Sequence, residues 1–185
     1  MKALGKRGLL VALCVALTGV SLHCGDTRPN RRGRGLSGTD LVADGGFEQT
    51  ADGSFPPGWS IAERGAARAF VTRDHPLDGT GSLRVELLEN CFPPAAPAVL
   101  SYLIVARRMP RYVRLRARSS GSAEAMIGIE MTTPLGPQAE WERFDGSFYG
   151  LVRLPGAQSA ALVLRIFGPK GAFLTVDDIS IEPVR

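Results

Sequence analysis

Cysteine and histidine are scarce in this chain, with three of the first and two of the second among 185 residues. That scarcity leaves little to build a zinc-type site from. No metal-ligand spacing surrounds Cys91, and no HExxH zinc motif occurs. Walker-type phosphate loops, dinucleotide fingerprints and the G-x-S-x-G nucleophile turn are also missing, which removes the nucleotide enzymes and serine hydrolases that carry them. Aromatic residues amount to only 7%. No long stretch shows helical periodicity. The longest unbroken apolar run, Leu9 to Leu17, falls short of the roughly 20 residues that span a bilayer.

Basic charge is present, but in the wrong place for a nucleic-acid binder. The net charge is +4, yet Lys2, Lys6, Arg7, Arg28, Arg31, Arg32 and Arg34 all precede Thr39. From Asp40 onward fifteen basic residues stand against seventeen acidic ones. Positive charge therefore belongs to the N-terminal arm, and this distribution argues against nucleic acid as a partner of the folded part.

Lys2, Lys6 and Arg7 ahead of Leu9–Leu17, continued by Thr18, Gly19 and Val20, predict an export signal over residues 1–23. Cys24, within Ser21-Leu22-His23-Cys24-Gly25-Asp26, resembles the junction at which bacterial lipoproteins are cleaved and lipidated. The resemblance implies acyl chains on Cys24 and a membrane anchor, each buried methylene contributing about 0.8 kcal/mol. Secretion without lipid is the alternative. Residues 24–39 carry four arginines, four glycines and Pro29 but almost no apolar surface, so they read as a flexible tether. Beside anionic headgroups each of those arginines would contribute about 1 kcal/mol of attraction. With Cys14 in the signal and Cys24 acylated, Cys91 stands single, as a buried small hydrophobe or a thiol. Without lipidation, Cys24 and Cys91 could pair.

Residues 40–185 read as one all-β domain, a two-sheet antiparallel β-sandwich. Short apolar runs alternate with Gly, Pro, Asp and Ser clusters. The expected strands are Trp59–Glu63, Ala67–Thr72, Ser82–Leu88, Ala98–Val105, Tyr112–Arg118, Glu124–Met131, Phe144–Leu154, Ala160–Phe167 and Phe173–Ile181. In Tyr112–Arg118 the alternation sends Val113, Leu115 and Ala117 inward and Arg114, Arg116 and Arg118 outward. That arginine face is a solvated surface or a meeting place for an acidic or hydroxyl-rich partner. Ala160–Phe167 is apolar on nearly every position, as a central strand covered on both sides would be. Val176 and Ile179 are three apart and can both face inward only if a bulge falls at Asp177-Asp178.

The domain opens with Leu41-Val42-Ala43-Asp44-Gly45-Gly46-Phe47-Glu48 and continues through Gly58-Trp59 and the turn Asp78-Gly79-Thr80-Gly81 before Ser82-Leu83-Arg84-Val85. Tyr112–Arg118 and Trp141-Glu142-Arg143-Phe144 follow, and Val176-Asp177-Asp178-Ile179-Ser180-Ile181 closes it. In that order these segments resemble the bacterial carbohydrate-binding modules of families four, nine and twenty-two, which have the galactose-binding-like jelly-roll fold. The resemblance implies a non-catalytic, monomeric module of an exported cell-envelope protein that recognises polysaccharide or envelope glycan. It also implies a structural calcium ion held by Glu48, Asp177 and Asp178, with backbone carbonyls of Gly45-Gly46 or Gly79–Gly81 as further ligands.

Sugar recognition in such modules rests on aromatic rings stacked against a pyranose, with amides and carboxylates on its hydroxyls. Trp59, Trp141, Tyr102, Tyr112 and Tyr149 are the rings on offer. By the resemblance Trp59 and Trp141 more often pack structurally, so Tyr102 and Tyr149 are the expected platforms, with Gln138, Glu130 or Arg153 as polar partners. A module of the same fold that binds protein, or builds a surface assembly, is the alternative. A groove with two or more exposed rings favours glycan, and a flatter apolar patch favours protein. Hydrolysis would need two carboxyl groups across one cleft. Glu140 and Glu142 are a poor pair for that, and His75 reads as a loop residue.

Overall fold

The computed structural model describes residues 40–184 except 63, 64 and 94. The expected signal, Cys24 and the tether lie outside the described residues. Ten strands follow in order: β1 (Trp59–Ala62), β2 (Ala67–Thr72), β3 (Ser82–Leu87), β4 (Ala98–Ile104), β5 (Tyr112–Gly121), β6 (Glu124–Thr133), β7 (Gly136–Arg143), β8 (Ser147–Arg153), β9 (Ser159–Phe167) and β10 (Phe173–Val184). They form two antiparallel five-stranded sheets, β1-β4-β9-β6-β7 and β2-β3-β10-β5-β8. The expected sandwich is the observed one.

Alternation dictates the core. Val113, Leu115 and Ala117 are buried from one sheet, and Leu100, Leu162, Leu164, Ile127 and Ile129 meet them from the other. Strand β9 lies at the centre of its sheet, and even Val163 on its outward side is buried. Each fully buried aliphatic or aromatic side chain contributes about 1.5–3 kcal/mol. Cys91 is among them, its amide donating to the Gly168 carbonyl at 2.8 Å, in keeping with a small core hydrophobe.

One strand was not legible. Gly136–Arg143 forms β7 at a sheet edge, where Pro137 is tolerated because one side of the strand needs no ladder partner. The single strand expected over Phe144–Leu154 is shorter, starting at Ser147, because Phe144 is buried in the connection from β7.

The two ends of the domain are clasped together. Leu41 donates its amide to the Ile181 carbonyl at 2.9 Å, and the Ile179 amide donates to the Gly45 carbonyl at 3.0 Å. The Asp40 carboxylate accepts from the amides of Val42 and Ile181 at 3.0 and 2.9 Å. Beneath the clasp, Phe47 is fully buried against Trp59, with ring centroids 6.2 Å apart. Strand β10 carries the expected bulge: its register to β5 shifts between Asp177 and Ser180, and Val176 and Ile179 are both buried.

Gly45 is essential to the clasp, because a Cβ there would stand 1.8 Å from the Ile179 carbonyl oxygen. Gly45→Ala is expected to destabilise the fold by about 2–3 kcal/mol, seen as a lower urea midpoint at unchanged slope. Gly65→Ala, where nothing lies within 4 Å of the new Cβ, is the control and should leave the midpoint in place.

Candidate functional site

The rings expected to gather for sugar stacking are held apart by the sheets. Trp59 and Tyr102 are register partners on β1 and β4, both turned inward, with ring centroids 5.4 Å apart. They are only 7% and 8% exposed. The Tyr102 hydroxyl accepts the Ala43 amide at 3.0 Å, which ties it to the opening segment. Both are therefore corrected from candidate platforms to core residues under the clasp. Tyr149 is 55% exposed, but it lies on β8 of the other sheet, beside Arg114. Tyr102 and Tyr149 cannot share a groove. Arg153, on β8 opposite Tyr112, also belongs to that second sheet.

Trp141 is placed differently. On the outer face of the first sheet, register aligns Ser60, Ser101, Val163, Gly128 and Trp141 in one row. The indole lies across Gly128, where a Cβ would meet it at 2.7 Å. A side chain at position 128 would force the ring off the sheet. The Arg165 guanidinium stands 3.9 Å from the Trp141 ring centroid, a cation–π contact, and donates to Glu130 at 3.0 Å.

Beside this trio runs a shallow groove of about 440 Å³ lined by Leu103, Glu130, Thr132, Gln138, Ser159 and Ala161, among others. Small side chains on β9 form its floor, and β7 raises one wall. It combines an apolar strip with a carboxylate and two hydroxyls, a combination suited to a hydroxyl-rich ligand. Of the expected polar partners Glu130 faces this groove, whereas Gln138 pairs in register with buried Met131 and so lies, like Glu140 and Glu142, on the side away from the outer face. Leu103, 59% exposed on β4, is a lining residue that sequence alone did not single out.

On the opposite sheet, β5 presents Arg114, Arg116 and Arg118 outward as expected, and strand β10 and a loop answer them with acids. Arg114 faces Glu182 at 3.7 Å, Arg116 faces Asp178 at 3.6 Å, and Arg118 faces Asp78 at 3.0 Å. These are partly exposed pairs of small individual worth.

The carboxylates expected to share a calcium ion are occupied by protein donors. Asp177 accepts from the Ser82 hydroxyl at 2.7 Å and from the amides of Asp78 and Asp178 at 2.9 and 2.7 Å. Burial pushes its carboxyl above the usual range against those three bonds. Asp178, at φ 49°, turns toward Arg116 and Arg118 instead. Glu48 accepts from the hydroxyl and amide of Thr80, which hold its carboxyl below the ordinary value. Among the described residues no three acidic, histidine or cysteine side chains converge as metal ligands. The expected set of Glu48, Asp177 and Asp178 does not fit an ion in this arrangement, because the bulge sends the two aspartates to different partners.

No protein-family model matches this chain, and no curated protein matches it. Its fold is similar to that of the CBM22-1 xylan-binding domain of Xyn10C from Paenibacillus barcinonensis, at 19% identity and a TM-score of 0.58, over 80% of this chain and 97% of that one. It is also similar to TmCBM61, solved in complex with β-1,4-galactotriose, at 13% identity and a TM-score of 0.54, over 80% and 100% of the two chains. A third likeness is to the enzymatically active domain of tailspike protein 4 of bacteriophage CBA120, at 14% identity and a TM-score of 0.56, over 78% of this chain but 21% of that one. What these chains share with this one is a fold, the carbohydrate-binding-module jelly roll.

Of the acids on β7, Glu140 and Glu142 pair in register with buried Ile129 and Ile127 and so lie on the side away from the outer face. Glu130 is the one carboxylate lining the groove, and Arg165 holds it. His75 is an exposed loop residue at φ 56°. Burial raises the Glu140 carboxyl above its usual range, with Arg153 opposing and Glu142 adding. A carboxyl raised in the native state contributes stability that is complete below about pH 4.3 and is lost as pH rises through the folded value. Glu140→Gln, neutral throughout, is expected to melt above the unaltered chain at pH 7, the gap closing toward pH 4. Scanning calorimetry across that range checks it, and a gap independent of pH would assign the difference to packing.

Proposed function

We propose that this chain binds polysaccharide or envelope glycan along the outer face of the β1-β4-β9-β6-β7 sheet, without transforming it. The observation that carries this reading is the outer face on which the Trp141 indole, packed on Gly128, stands two positions along β7 from Ala139, in a groove that Glu130, Thr132 and Ser159 also line. The likeness of fold to a xylan-binding domain and to a module solved with β-1,4-galactotriose supports the ligand class. A sugar ring stacks its C–H face on an aromatic ring and sends its hydroxyls to flanking polar groups, and this face supplies both elements. It supplies one ring, however, and Arg165 already covers part of it. Affinity is accordingly weak, in the range of about 0.1–5 mM, or roughly −3 to −5.5 kcal/mol. The same reading includes export and retention at a membrane through acyl chains on Cys24.

Protein recognition is the second reading, favoured by one observation. Tyr112, Tyr149 and Leu151, on neighbouring strands β5 and β8, are 40%, 55% and 52% exposed. Their cross-strand partners are Arg153, Arg116 and Arg114, so they form a flat face of apolar side chains and arginines rather than a groove, as an acidic protein partner would suit.

The full chain is to be titrated calorimetrically with xylo- and galacto-oligosaccharides and retained on insoluble polysaccharides. Trp141→Ala and Thr132→Ala are expected to weaken binding about tenfold or more, equivalent to at least about 1.4 kcal/mol. Tyr149→Ala should bind like the parent. Loss confined to Tyr149→Ala would move the site to the other sheet, and retention on no glycan would favour the protein-binding alternative.

A further inference from the structure

We propose that the guanidinium of Arg73 is the resident cation between the opening segment and the turn before β3, standing in the oxygen cradle that a calcium ion would need, so that the fold is independent of calcium. Arg73 Nη2 donates to the backbone carbonyls of Glu48 and Thr50 at 3.1 and 2.9 Å. Its Nη1 donates to Thr80 Oγ1 at 2.6 Å and lies 3.6 Å from Glu48 Oε2. Two carbonyls, a hydroxyl and a carboxylate thus converge on one positive group. Arg73 also donates its own amide to Asp52 at 3.1 Å, which fixes the backbone from which the side chain reaches.

An oxygen-only cradle calls for positive charge at its centre. Calcium would take six to eight oxygens at about 2.3–2.6 Å, whereas a guanidinium satisfies fewer acceptors through directed N–H bonds and keeps its charge at every physiological pH. The two cannot be accommodated together, because an ion at bonding distance from the Glu48 and Thr50 carbonyls would overlap the arginine. Gly81 makes the arginine's position accessible. A Cβ there would stand 2.7 Å from the Phe47 carbonyl oxygen and 3.1 Å from Arg73 Nη1. The other two carboxylates of the expected calcium set are engaged elsewhere, Asp177 by Ser82 and two amides and Asp178 by Arg116 and Arg118. Arg73 therefore joins the opening segment, residues 48–52, to the turn before β3 without a metal.

The test is thermal unfolding of the full chain in millimolar calcium and in excess chelator, and it is independent of glycan binding. The unaltered chain should melt at the same temperature in both. Arg73→Ala should lower the midpoint by about 2–4 °C and open the cradle, so that calcium raises the midpoint of this variant alone. A midpoint of the unaltered chain that falls in chelator would overturn the proposal, and so would an Arg73→Ala chain that melts like its parent or does not respond to calcium. Should Arg73→Ala fail to fold, the chelator comparison on the unaltered chain and its calcium titration by calorimetry decide the matter: heat of specific calcium binding would refute the inference, and none would uphold it.

Discussion

The fastening of residues 40–45 to the last strand is the constraint from which the rest of the domain follows. Three backbone and carboxylate contacts, Leu41 to Ile181, Ile179 to Gly45 and Ile181 to Asp40, join segments about 140 positions apart in sequence. Because the opening segment is pinned there, Phe47 is delivered into the sandwich and Tyr102 acquires the Ala43 amide as partner. Asp40 remains in this junction although burial raises its carboxyl, since two amides that would otherwise lack acceptors depend on it. A clasp made of backbone groups tolerates little variation in geometry, which is why Gly45 approaches Ile179 so closely.

The groove on the first sheet depends on that same order at one remove. The sheet is flat enough for an indole to lie on it only because Gly128 leaves the space empty, and register with Val163 and Ser101 continues the row beyond it. Arg165 then holds both the ring and Glu130, so one side chain couples the apolar and the polar parts of the face. The opposite sheet is built on another logic. There β5 arginines meet carboxylates, and the exposed rings sit toward the β8 edge.

Much of this architecture was legible from the residues. Period-two alternation over Val113, Leu115 and Ala117 identified the inward row of β5, and the three-residue interval between Val176 and Ile179 required the bulge that β10 contains. The site was less legible, for physical reasons. Strand β7 begins Gly-Pro-Gln and is half exposed, so neither apolar alternation nor β-propensity marks it, yet it carries Trp141. Tyr102 is amphipathic, and in Leu100-Ser101-Tyr102-Leu103 composition does not say which parity faces the core. The ladder decides for Leu100 and Tyr102, leaving Leu103 outside. Arg73 gave no signal, since two of its acceptors are main-chain carbonyls twenty-odd positions away, which no side-chain pattern marks.

Strand β7 has one more property, which arises from the same Pro137 that hid it. An outermost strand offers unpaired amides to any neighbouring chain, and a proline interrupts that row with a residue that has no hydrogen to give. Copies crowded side by side would therefore find this border a poor template for zipping into a continuous ribbon. The residue that makes the strand hard to read also helps keep adjacent molecules separate.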